Sequence, residues 1–153
     1  MKLAEALVHR VDCQRKIIQL KTRIQRVVKV QEGDAPDENP ELLLIELEKA
    51  LLAQTEWVKK INKTNALTPF NNELSLADAL AERDQFMQQR KLLDGILEIA
   101  SIKQDPYSRS EIKFERTVNI QQIQSKIDEL SKQYRERDFR IQELNWAVEL
   151  IEK

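Results

Sequence analysis

"IQQIQSKIDELSKQYRERDFRIQELNWAVELI", residues 120–151, decides the fold. Ile120, Ile123, Ile127, Leu130, Tyr134, Arg137, Ile141, Leu144, Val148 and Ile151 succeed one another at steps of three and four without a slip. That spacing is a heptad seam on one side of an α-helix, with a single charge in it, Arg137. Phe139, Trp146 and Leu150 add a second apolar edge near the end. A helix with two apolar edges contacts more than one neighbour. The second edge is either part of a wide inner face or a subunit interface.

The same period recurs in the three segments upstream. Over 2–28, Leu3, Leu7, Val11, Ile17, Leu20, Ile24 and Val28 form a stripe. Over 40–65 the stripe is Leu44, Leu47, Leu51, Val58 and Ile61, widened by Leu43, Ala50 and Trp57. Asn39 reads as its N-cap, with Pro40 at the first helical position. Over 75–102 the stripe is Leu76, Leu80, Met87, Leu93, Leu97 and Ala100, flanked by Phe86 and Ile96, and Ser75 with Asp78 marks its start. Gly95 inside it costs about 1 kcal/mol relative to alanine, which a close helix approach or a kink would explain. Gly33, Pro36, Pro40 and Pro69 fall between the periodic segments. The expected fold is therefore all-α. It is a single helical domain over 1–153, with helices at about 2–28, 40–65, 75–102 and 119–152 arranged as an antiparallel bundle or as helical hairpins.

One stretch breaks the pattern. In "DPYSRSEIKFERTV", residues 105–118, Ile112 and Phe114 alternate with Lys113 and Glu115. Extended backbone needs hydrogen-bond partners. Val27-Val28-Lys29-Val30 is the other β-branched stretch, so a short two-stranded ribbon joining about 28–32 to 112–117 is expected. A lone ribbon is marginal in water, so it must lie on the bundle or be shared between exchanged subunits. Ser108 with Glu111 has capping-box spacing, and a helical turn at 108–113 is the competing expectation.

Composition limits function. A third of the 153 residues are charged, the net formal charge is −1, and there are two glycines and four prolines. No apolar run approaches the roughly 20 residues that span a bilayer, and the first residues do not read as a targeting segment. With Cys13 alone no intrachain disulfide can form, so a cytoplasmic location is expected. Two glycines cannot build a phosphate-cradling loop, and one histidine, His9, cannot supply two Glu-x-x-His pairs for a di-metal bundle. Glu5, His9 and Cys13 share a helix row, but that row lies off the apolar stripe and reads as solvated; no metal and no cofactor are expected. Arg15, Lys16, Lys21, Arg23, Arg26 and Lys29 form a basic run, followed by the acids Glu32, Asp34, Asp37, Glu38 and Glu41. Mutual neutralisation at one turn accounts for both runs, and a net acidic chain lacks the field that drives nucleic-acid binding.

Three arginines, Arg83, Arg90 and Arg137, fall on or beside apolar stripes. Either their stems cover apolar surface while the heads reach water, or they form an ionic network that fixes helix register; the latter is favoured for Arg83, with Asp12 and Glu143 as candidate partners. Asn62, Thr64 and Asn65 close the second helix as capping residues, or join Tyr107, Arg109, Lys113 and Arg116 in an anion- or RNA-binding loop.

The stretches "VQEGD" (30–34), "INKTN" (61–65), "YSRSEIKFERTV" (107–118) and "RIQELNW" (140–146) resemble motifs of the septicolysin-like family, small bacterial helical proteins. That resemblance implies a helical oligomer with possible exchange of elements between subunits, and the family's name implies a pore-forming toxin. No activity comes with it. The leading expectation is a non-enzymatic, self-associating helical protein, a homo-oligomer with Ile112, Phe114, Phe139, Trp146 and Leu150 as candidate interface residues. The alternatives are an anion- or RNA-binding module using the 105–118 loop, and a membrane-damaging protein.

Overall fold

A computed structural model describes residues 1–101 and 112–153. Four helices follow in order: α1 (Leu3–Val27), α2 (Pro40–Leu67), α3 (Leu76–Ala100) and α4 (Ile120–Ala147). They pack in pairs, and the protein is all-α. Its contacts divide into two compact units, Met1–Ala77 with Gln142–Lys153, and Asp78–Ile141.

In the first unit α1 and α2 form an antiparallel hairpin. Leu20, Ile24 and Val27 of α1 share a core cluster with Leu43 and Ala50 of α2, and Ile17 and Leu47 pack against it. The α2 start follows the sequence: the Asn39 side chain accepts the N–H of Glu41 at 2.9 Å, and Pro40 occupies the first turn. Between the helices, the Asp34 N–H donates to the Gln31 carbonyl at 3.0 Å across a tight turn. Gly33 stands in that turn at φ 88°, the left-handed conformation that glycine adopts without strain. The buried line of α2 runs through Leu43, Ala50, Ile61 and Thr64, so Leu44 and Leu51 stand half in solvent rather than at the centre of the stripe.

The end of the chain closes this unit. α4 stops at Ala147, four residues before its apolar period runs out at Ile151. The reason lies in the alternative partners waiting for the backbone. The Leu3 N–H donates to the Val148 carbonyl at 2.9 Å and the Leu150 N–H to the Met1 carbonyl at 2.8 Å, making an isolated antiparallel bridge between Lys2 and Glu149. The Ile151 N–H donates to Thr64 Oγ1 at 2.9 Å, and Leu150 turns inward to 8% exposure. Lys2 Nζ reaches the Glu149 carboxylate at 2.6 Å and the Ala147 carbonyl at 3.1 Å, which holds the Glu149 acid below its ordinary range.

The second unit holds the greater part of α3 and α4. Ala79 on α3 and Ile127, Leu130 and Ile141 on α4 are buried. Asn119 caps α4 by accepting the Gln122 N–H at 3.1 Å. Gly95 is exposed, and among the described residues a Cβ there would meet nothing within 4 Å, so no close contact accounts for the glycine.

The expected ribbon does not form. Neither 28–32 nor 112–117 is a strand, and the described residues contain only isolated bridges. Val28 keeps right-handed helical angles as the cap of α1 and donates to the Ile24 carbonyl at 3.0 Å, so the helix claims the start of the supposed strand. A two-stranded ribbon has too little apolar contact to compete with that. The alternative turn at 108–113 lies largely outside the described residues.

Candidate functional site

The sequence sets Phe139, Trp146 and Leu150 on a second apolar edge near the end of α4. Phe139 and Trp146 are seven residues apart, two helical turns, and 66% and 63% exposed. Leu150, expected beside them, belongs to the core because the chain has left the helix by then. Ile112 and Phe114 lie in the irregular segment before α4 and are largely exposed.

The residues expected to bind a ligand divide between the two units. Thr64 is fully buried and its hydroxyl is doubly engaged: it donates to the Lys60 carbonyl at 2.8 Å and accepts from Ile151. It is therefore a structural anchor for the chain end. Asn62 is exposed and Asn65 half-buried in the same unit. Lys113 and Arg116 belong to the other unit; Arg116 Nε donates to the Ala100 carbonyl at 2.9 Å, near the end of α3, where a cation meets the negative end of the helix dipole. Tyr107 and Arg109 lie outside the described residues. Shallow depressions occur on the second unit. One runs along the first turns of α4 past Gln122, Ser125 and Lys126, and another lies beside Met87, Leu92 and Tyr134. Neither contains histidine or cysteine.

The most organised polar cluster joins α3 to α4, and its pairing was not the one expected. Arg83 Nη1 donates to Asp138 Oδ1 at 2.8 Å and its other nitrogens approach Asp84; Asp12 and Glu143 were the partners foreseen. Arg137, the charge in the heptad seam, pairs with Glu82. An acid–base dipeptide on α3 thus meets a base–acid dipeptide on α4. Each guanidinium also covers a ring, Arg83 that of Tyr134 at 5.9 Å and Arg137 that of Phe86 at 5.6 Å. Desolvation disfavours the Arg83 charge, but the hydrogen bond to Asp138 and the surrounding negative groups outweigh it and raise its pKa above the ordinary value. The sequence carried the signal: two arginines in apolar seams, each beside an acid of opposite order. The Arg90 Nε stands 3.9 Å from the Asp94 carboxylate.

In the first unit, His9 stacks on Trp57 at 4.8 Å with planes 10° apart, and Lys60 Nζ stands 5.3 Å from the same ring. The row Glu5–His9–Cys13 is thus not simply solvated, since His9 is held by α2. Cys13 is a half-buried free thiol, and among the described residues no three His, Cys, Asp or Glu side chains gather as a metal site would require. The basic and acidic runs meet as foreseen, with Arg23 Nε donating to Glu38 at 3.1 Å. Among the described residues no helix is long and apolar enough to cross a membrane.

Comparison with known proteins gives kinship without a role. No curated protein matches the chain. A crystal structure described as that of a functionally unknown conserved protein from Corynebacterium diphtheriae is 44% identical in sequence, covers 99% of each chain, and has a TM-score of 0.89. The model of a family of unknown function, DUF6847, matches residues 10–150. That match runs through all four stretches that resembled septicolysin-like motifs and replaces the attribution. The chain belongs to the DUF6847 family of proteins of unknown function.

Proposed function

We propose that this is a non-enzymatic cytoplasmic protein that works by self-association through the outer edge of α4. The observation that carries the proposal is the exposure of Phe139 and Trp146, two aromatic side chains two turns apart on one helix. Aromatic side chains of that size anchor interfaces when a partner covers them. The clusters described above support a structural role. The α3–α4 arginines are engaged with acids and rings, Thr64 with the chain end, and the two depressions are lined by neither histidine nor cysteine. The free thiol of Cys13 supports a reducing compartment. Analytical ultracentrifugation at micromolar concentration tests the proposal. A dimer or larger species is expected, and Phe139→Ser with Trp146→Ser is expected to weaken it by at least about tenfold. A monomer at every concentration would remove the proposal.

A further inference from the structure

α3 carries one long uncharged face that is turned away from α4. An α-helix turns by about 100° per residue. On that count Gln85, Gln88, Leu92, Gly95, Ile96 and Ile99 fall within one arc of about 100°, along about four turns. Arg90, Lys91, Asp94 and Glu98 all fall outside it. Arg83 and Phe86, which meet Asp138 and Arg137 of α4, lie about 120–180° round the helix from Leu92. The last two turns of the face are aliphatic and open: Leu92 is 62% exposed, Ile96 48% and Ile99 72%. Aliphatic side chains scattered singly over a surface need no explanation, but three of them clustered on a charge-free arc mark a contact surface.

The order of residues along the face indicates what covers it. Leu92 and Ile99 stand equally far, in opposite directions, from a point between Gly95 and Ile96. Lys91 and Glu98 flank the face on one margin, about 100–120° from Leu92, and both are exposed. We infer that this face docks on the same face of a second copy of the chain, the two α3 helices running antiparallel about a two-fold axis at that point. Leu92 of each copy then lies level with Ile99 of the other, and the two Ile96 side chains meet beside the axis. In an antiparallel pair like margins face each other. Lys91 of each copy therefore stands about 3 Å along the helix from Glu98 of the other, and the attraction occurs twice. A parallel pairing turns that margin toward the uncharged Gln89 and Ala100 and forms neither ion pair. This surface is separate from Phe139 and Trp146; the inference shares with the proposal above only the premise of self-association.

The test is sedimentation of the full chain and three variants from micromolar concentration upward, since a contact of one helix face is small. Circular dichroism confirms that each variant stays helical, as expected for side chains that are exposed in the single chain. Leu92→Gln with Ile96→Gln is expected to weaken association by at least about tenfold, because four aliphatic side chains leave a two-fold interface. Glu98→Lys is expected to weaken it by about fivefold, and adding Lys91→Glu to restore it. The two positions are seven residues apart, too far to pair within one helix, so the rescue requires a second copy. Unchanged association in the Leu92/Ile96 variant overturns the inference. So does a charge-reversed pair that is no better than Glu98→Lys alone. Loss of association in Phe139→Ser/Trp146→Ser with none in the Leu92/Ile96 variant leaves the α4 proposal standing and this one refuted. A monomeric wild type refutes both and leaves the α3 face to a different protein.

Discussion

Single residues in this protein separate conformational cost from contact. Gly95 sits inside α3, five residues before its end, exposed, with open space where a Cβ would go. Nothing in its surroundings compensates for the backbone freedom that glycine loses on folding. Gly95→Ala is therefore expected to stabilise the chain by about 1 kcal/mol in urea unfolding. Thr64 is the opposite case, because its hydroxyl serves two backbone groups at zero exposure. Thr64→Val keeps the shape but leaves the Ile151 N–H unpaired. A loss of about 1–3 kcal/mol is expected, with faster amide exchange at Ile151 than at residues of the α1/α2 core. Sequence alone could place Thr64 near the end of a helix. It could not show that a segment 87 positions away would need its oxygen. Leu150 was misplaced for the same reason: its helical spacing was sound, but long-range backbone partners ended the helix first.

At the scale of the element, apolar periodicity located all four helices, and N-capping placed the start of α2. What periodicity resolves poorly is rotation. On α2, where leucine and isoleucine surround the helix, spacing puts Leu44 and Leu51 in the stripe and Leu43 and Ala50 at its edge, whereas packing against α1 buries Leu43 and Ala50. It also leaves partner choice open, since Arg83 could face several acids until α4 was docked beside α3. The crossed pairs Glu82–Arg137 and Arg83–Asp138 now fix the register of that hairpin. A slip by one helical turn would leave both partly buried guanidinium groups without their acids. Glu82→Arg should cost about 1–2 kcal/mol, the guanidinium of Arg137 being only partly screened by water. The double variant Glu82→Arg with Arg137→Glu should regain most of that in a thermal-denaturation cycle.

For the whole molecule, charge balance sets the response to acid. The carboxylates of Glu38, Glu56 and Glu149 are each held below their ordinary value, first by a side-chain hydrogen bond from Arg23, Lys59 and Lys2 respectively. A depressed folded-state pKa contributes stability that is present above the unfolded value, 4.5, and is lost as pH falls through the lower folded value. Melting temperature should therefore fall as pH drops below 4.5, and Glu149→Gln should show a shallower fall than wild type in the same scan. Fold class was legible in the sequence because apolar spacing is a local property. Kinship was not, because short shared motifs in a helix-rich chain point to more than one family, and only the match along residues 10–150 resolved it.

The stacking of His9 on Trp57 has an optical consequence. The chain has two tryptophans, one half-buried beneath an imidazole and the other, Trp146, largely in water. Their fluorescence therefore arises from two unlike surroundings, so a single emission spectrum carries two signals. Light from Trp57 reports whether the first hairpin is intact, and light from Trp146 reports what touches the end of α4. Replacing either indole with phenylalanine would leave the other as a label-free gauge of one event alone.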